Sequence, residues 1–146
     1  MPGAAGVAGT LAVHHRRCDE LFAAARGAAD ARDWRLLTAR VAALREEVLA
    51  HFRYEEQKVF PIYEEASGEE GATESLCAQH DDMRAVLWTL GTFSADADPE
   101  HYCAELAALQ AMFDAHAADE ESRMYPAFER MLRAQSAPGT PGPPRK

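Results

Sequence analysis

The stretch His51-Phe52-Arg53-Tyr54-Glu55-Glu56, followed by Phe60-Pro61, returns 65 residues later as His116-Ala117-Ala118-Asp119-Glu120-Glu121, followed by Tyr125-Pro126. The same offset pairs His15 with His80, Leu11 with Leu76, Asp33 with Asp98, Leu44 with Leu109 and Glu64 with Glu129. The chain therefore reads as two similar halves. Each supplies one early histidine and, 36 residues on, a His-x-x-x-Glu, which places four histidines and two glutamates at matched positions.

Hydrophobic spacing turns the halves into helices. Leu11, His15, Cys18, Phe22 and Ala25 recur every three or four residues on one face of a first helix, expected from about Thr10 as N-cap to about Ala31. Asp33 is positioned to cap a second, whose inward register reads Leu37, Val41, Leu44, Val48, His51, Glu55, Val59 and Ile62. After the break at Ser67-Gly68-Glu69-Glu70-Gly71, Leu76, His80, Met83, Leu87 and Leu90 repeat the first register. Asp98-Pro99 opens a fourth helix with Tyr102, Leu106, Leu109, Phe113, His116, Glu120, Met124 and Ala127 facing inward. Pro61 and Pro126 should kink these long patterns or end their regular part.

The expected fold is all-α: an up-down-up-down antiparallel four-helix bundle with an internal two-fold pseudo-repeat over residues 10–134. A flexible Gly/Ala start, residues 1–9, and a disordered Pro/Gly-rich tail, residues 135–146, would flank it. Alanine, leucine, glutamate and arginine suit helices, and 146 residues with 47% apolar side chains suffice for one core. Height follows from counting. His15 and His51 each lie 18 residues from Asp33, and His80 and His116 repeat this about Asp98, so all four imidazoles should share one layer, about 27 Å from those turns.

A net charge of −9 without a long basic run argues against nucleic acid and against an anionic membrane surface. Three scattered cysteines, Cys18, Cys77 and Cys103, form no Cys-x-x-Cys, which disfavours a disulfide framework or thiolate zinc site and suits a reducing cytoplasm. The weakly apolar run within residues 1–9 has no basic residues before it and no stretch approaches about 20 apolar residues, so a soluble, unexported protein is expected.

At i and i+4 on a helix, His51 with Glu55 and His116 with Glu120 each present a nitrogen and a carboxylate to one volume. Two carboxylates buried face to face repel, and cations resolve the conflict. Four imidazoles and two carboxylates exceed the needs of one zinc and are too nitrogen-rich for calcium or magnesium. They suit two first-row metal ions, iron foremost, with the glutamates bridging and a water, hydroxide or oxo group completing the pair. The expected ligands are His15, His51, Glu55, His80, His116 and Glu120. A lone histidine in such a seam is commonly a hydrogen-bonded core residue, so a metal-free bundle stands as the bland alternative. His14 competes with His15: periodicity mildly favours His14, whereas the repeat favours His15, because His14 pairs with Gln79. Glu56 and Glu121 lie about 100° round the helix from the ligands and read as outer groups.

The phrases beginning at His15, His51, Gln79-His80 and His116, with Phe60-Pro61 and Tyr125-Pro126, resemble a hemerythrin-like domain of the HHE cation-binding family over about residues 10–134. The resemblance implies a four-helix bundle around a non-haem di-iron centre that reacts with dioxygen, nitric oxide or peroxide. Oxygen carriers of that family have His-x-x-x-His on the third helix, where this chain has His80 and Arg84, and an aspartate five residues after the last histidine, where it has Glu121. The set here is similar to the His4Glu2 sites of regulatory and iron-centre-repair relatives. Two functions follow as expectations: a module that binds or senses dioxygen or nitric oxide, or iron and redox state; or an enzyme that acts on peroxide or nitric oxide, or donates iron in iron-sulfur cluster repair. Only Glu56, Glu121 and Tyr54 offer further acid–base groups.

Overall fold

The computed structural model describes residues 4–69 and 71–136, and among these every regular element is helical. The helices are α1 (Ala4–Asp30), α2 (Trp34–Tyr54), α3 (Phe60–Ser67), α4 (Glu74–Leu90) and α5 (Pro99–Ser136). A π-helical turn, Glu55–Val59, joins α2 to α3 without a break, so the polypeptide forms four rods. Within them α1 packs on α2 and α5, α4 on α5 and α2, and α3 on α5. Of the tail expected over residues 135–146, residues 135–136 continue α5 and the rest lies outside the described residues.

Asp33 caps α2 as its position suggests: its Oδ1 accepts from Leu36 N at 3.1 Å. Replacing it with alanine should cost about 1 kcal/mol and lower the melting temperature by roughly 2 to 4 °C, read by thermal denaturation. Asp98 does the same for α5, accepting from His101 N at 3.2 Å. His101 is exposed and lies far from the core layer, near Glu105 at 3.4 Å. The break between α3 and α4 uses Gly68 at φ 70° as its left-handed stop.

Three local readings are corrected. α1 begins at Ala4 rather than Thr10, so residues 4–9 of the expected flexible start are helical, with Val7 fully buried. Thr10 is interior to the helix, its hydroxyl donating to Gly6 O at 2.8 Å, because alanine-rich sequence continues a helix upstream without a cap signal. Before Pro61 the α geometry does stop, as expected, over Glu55–Val59, and it resumes at Phe60 with Pro61 in the first turn of α3. Phe60 N bonds back five residues to Glu55 O, a widened turn that eases the clash of a proline ring with the carbonyl four residues before it. At Pro126 the helix continues unbroken; Pro126 and Ser122, whose carbonyl loses its partner, both face solvent, where water can satisfy it.

The core divides in two. One cluster, including Cys18, Phe22, Leu44, Val48, Met83 and Phe113, occupies the end near Asp33 and Asp98. The other, including Leu11, Val59, Phe60, Leu76, Met124 and Phe128, occupies the opposite end. On each rod the histidines and glutamates of the seam fall between a residue of the first cluster and one of the second, so a polar layer is enclosed between two apolar plugs. No helix among the described residues is long and apolar enough to cross a membrane.

Candidate metal centre

All six residues expected as ligands are buried: His15 at 6% exposure, His51 and His116 at 1%, and Glu55, His80 and Glu120 at 0%. Burying so many polar groups is costly unless each finds a partner. Their distribution is compact. One group, His15, His51, Glu55 and Glu120, and a second, Glu55, His80 and His116, each bring their ligand atoms within 4.8 Å of one another, and Glu55 belongs to both. Its Oε1 lies 2.9 Å from His80 Nε2, 3.1 Å from His51 Nε2 and 3.3 Å from His116 Nε2. Glu120 Oε1 lies 3.2 Å from His15 Nε2 and 3.4 Å from His116 Nε2.

The outer nitrogens have partners of their own. His80 Nδ1 donates to Glu56 Oε2 at 2.7 Å, and Arg84 Nη2 grips both oxygens of Glu56 at 3.0 and 2.9 Å. His116 Nδ1 donates to Gln79 Oε1 at 2.6 Å; the Gln79 amide is oriented by donating to Asp119 Oδ2 at 3.0 Å. His51 Nδ1 lies 3.1 Å from His14 Nδ1. His15 Nδ1 has no hydrogen-bond partner and lies 3.7 Å from Glu121 Oε1.

This outer ring decides what the inner atoms need. With their Nδ1 protons committed to Glu56 and Gln79, His80 and His116, when neutral, turn bare lone pairs inward. Yet their Nε2 atoms stand 3.0 Å apart and both face Glu55 Oε1. Three acceptors converging in a dry layer repel unless a cation lies among them. His51 Nε2, Glu55 Oε2 and Glu120 Oε2 are likewise buried without a hydrogen-bond partner. The donor set fits metal ions: imidazole nitrogen and carboxylate, with two groups sharing one carboxylate.

Electrostatics agree. Burial pushes the Glu55 carboxyl up, but His116, His51 and His80, wherever a proton sits on the nitrogen facing it, outweigh this and hold the group well below the ordinary carboxylate range; with those nitrogens bare, a metal ion takes the place of the protons. Burial pushes the His116 imidazole down, partly opposed by its bond to Glu55, which favours the neutral ring that metal binding requires. Cys18, one turn from His15, is pushed up to about 12 by burial foremost, so it is a packing thiol and not a thiolate ligand.

The structure brings His15, not His14, to the layer. His14 is half-buried, packs edge-on against Tyr54 at 5.1 Å and holds the back of His51; burial and then the neighbouring His51 lower its pKa. Helical periodicity does not mark this supporting role, or the matching one of Gln79, although the 65-residue offset pairs the two. His15→Ala should remove at least half of the bound metal, whereas His14→Ala should keep the full complement at saturating metal and weaken affinity by about tenfold at most. Elemental analysis of the two purified variants checks this. Loss of metal from His14→Ala alone would assign the wrong member of the pair.

The profile of the hemerythrin HHE cation-binding domain matches residues 7–128. Among curated proteins and among solved structures, no match to the chain is found. The match covers both His-x-x-x-Glu segments and both early histidines, the residues that meet in the buried layer, and the chain belongs to the hemerythrin HHE cation-binding family.

Proposed function

We propose that this protein is a non-haem di-iron protein that takes up or senses dioxygen or nitric oxide, or reports iron and redox state. The observation that carries the reading is the pair of buried ligand groups sharing Glu55. His15, His51, His80 and His116 would supply the nitrogens, and Glu55 and Glu120 would bridge, each lying against imidazoles of both groups. When bound, a pair of irons supplies reversible one-electron chemistry and open positions for a small ligand. The chain's own part is to fix the ligands between two apolar plugs, which keep bulk water from the layer. The matched outer contacts, Glu56 on His80 with Glu121 near His15 and His14 on His51 with Gln79 on His116, support a two-fold pseudo-repeat in an up-down-up-down bundle. Three free cysteines support a cytoplasmic setting. The net charge of −9 supports small-ligand rather than nucleic-acid or membrane partners.

One observation favours turnover as a second reading, with peroxide or nitric oxide as substrate. The Tyr125 hydroxyl, one turn beyond Glu121, is buried without a hydrogen-bond partner, and burial, then Glu121 and Glu55, raise its pKa, so it keeps a proton to give. Metal analysis followed by an anaerobic optical titration of the reduced protein with dioxygen, nitric oxide and then peroxide tests both. The expected result is about two irons per chain and a stoichiometric spectral change with dioxygen or nitric oxide. Sustained consumption of peroxide would favour the enzyme; protein that retains no iron would sink both readings.

A further inference from the structure

The inner ligands do not by themselves favour the position on His80 and His116: four, His15, His51, Glu55 and Glu120, converge in one group and three, Glu55, His80 and His116, in the other, although Glu120 also lies 3.4 Å from His116. The groups behind them do favour it. His80 is held on three sides: Glu56 at its Nδ1 at 2.7 Å, Phe52 stacked at 4.0 Å and 16°, and Phe60 at 5.4 Å and 22°. Glu56 is fixed in turn by Arg84, whose guanidinium also lies over the Phe52 ring at 5.4 Å. The residues at the matching offset around His15 are different in kind. Glu121 replaces Glu56 but is 53% exposed and 3.7 Å away, Asp19 stands for Arg84, Ala117 for Phe52 and Tyr125 for Phe60. The other two imidazoles do not offset this difference, since each has a single outer contact to a neutral-type group, Gln79 for His116 and His14 for His51.

A partly buried, anchored carboxylate within hydrogen-bond reach of the outer nitrogen, as Glu56 is at 30% exposure, fixes the tautomer, raises the basicity of the inner nitrogen and holds the ring in its binding orientation before metal arrives. An exposed carboxylate beyond hydrogen-bond reach does little of this. On these grounds we infer that the two metal positions are inequivalent: the position built on His80 and His116 fills first and tightly, and the one built on His15 and His51 fills second and weakly. Glu56, anchored by Arg84, is the positioning residue that separates them. The inference rests on the two-metal reading above and adds the order of loading.

The test is a titration of metal-free protein with cobalt(II), followed by its visible absorption and by calorimetry, in the wild type, Glu56→Gln, Glu121→Gln and His15→Ala. Wild type should take up two equivalents in steps about 10- to 100-fold apart in affinity. Glu56→Gln keeps the shape and removes the charge, and should weaken the tight step by about 10- to 100-fold while the other step stays in place. Glu121→Gln should move either step by less than about fivefold, as for an exposed pair. His15→Ala should abolish the weak step and keep the tight one, with helicity by circular dichroism confirming that each variant is folded. Two steps of equal affinity, or equal responses to Glu56→Gln and Glu121→Gln, would overturn the inference and leave the two-metal reading standing. A wild type that binds only one equivalent would overturn both.

Discussion

Replacing Glu55 with alanine should leave the purified protein without bound metal at either position, although His15, His51, His80, His116 and Glu120 all remain. The reason lies in what one oxygen touches: Glu55 Oε1 is within 3.3 Å of the inner nitrogens of three histidines drawn from both ligand groups. Removing it takes away the anion that offsets the charge of each metal and leaves three inward nitrogens in an apolar layer. Glu55→Gln is the companion variant. It preserves packing but carries no charge and cannot bridge as a carboxylate does, so its metal content should fall nearly as far. Elemental analysis after desalting reads both variants, with circular dichroism to show that the helices persist. One full equivalent retained by Glu55→Ala would show that each metal has its own carboxylate and that Glu55 does not bridge.

The layer was legible in the sequence because its positions obey two independent rules. The three-or-four spacing places Leu44, Val48, His51, Glu55 and Val59 on one face, and the structure buries every one of them. The 65-residue offset then selects His15 over His14, against the centre of the apolar stripe, and it is His15 that reaches Glu120. What periodicity could not show is the ring of outer contacts. Gln79, Glu56 and His14 are only partly buried and look like ordinary flank residues on a helical wheel, and their function depends on the rotation of one helix against its neighbour. Arg84 shows the same limit. The sequence marks it as the place where a histidine is missing, whereas in space it anchors Glu56. The π turn at Glu55–Val59 was hidden because Pro61 and Pro126 are indistinguishable as helix breakers, yet only the first is preceded by a widened turn.

Stripping the metals should lower the melting temperature by roughly 15 to 30 °C. A ligand present at about a thousand times its dissociation constant stabilises the folded state by about 4 kcal/mol, two such ions by about 8, and in a domain near this size each kcal/mol moves the midpoint by about 2 to 4 °C. The stripped protein should also lose stability on acidification, in a sequence set foremost by two perturbed groups of the buried layer, with the lowered pKa of His14 acting in the same direction as that of His116. The folded pKa of His116 lies below its ordinary 6.5, so just below pH 6.5 the unfolded chain binds that proton in preference and stability begins to fall. The folded pKa of Glu55 lies well below its ordinary 4.5, so its contribution is present above that value and drains away as pH drops from it toward the folded value. Both signs are the same, and the apo protein should be most stable above about pH 6.5. With metal bound the first loss should shift to lower pH, because His116 is then held as a ligand and protons must compete with the ion for it. Melting curves of apo and holo protein at about pH 8, 6 and 5 measure all of this. Equal midpoints for the two forms would mean that the layer satisfies itself with protons alone, and that the convergence of His80, His116 and Glu55 is a hydrogen-bonded core and not a place for a cation.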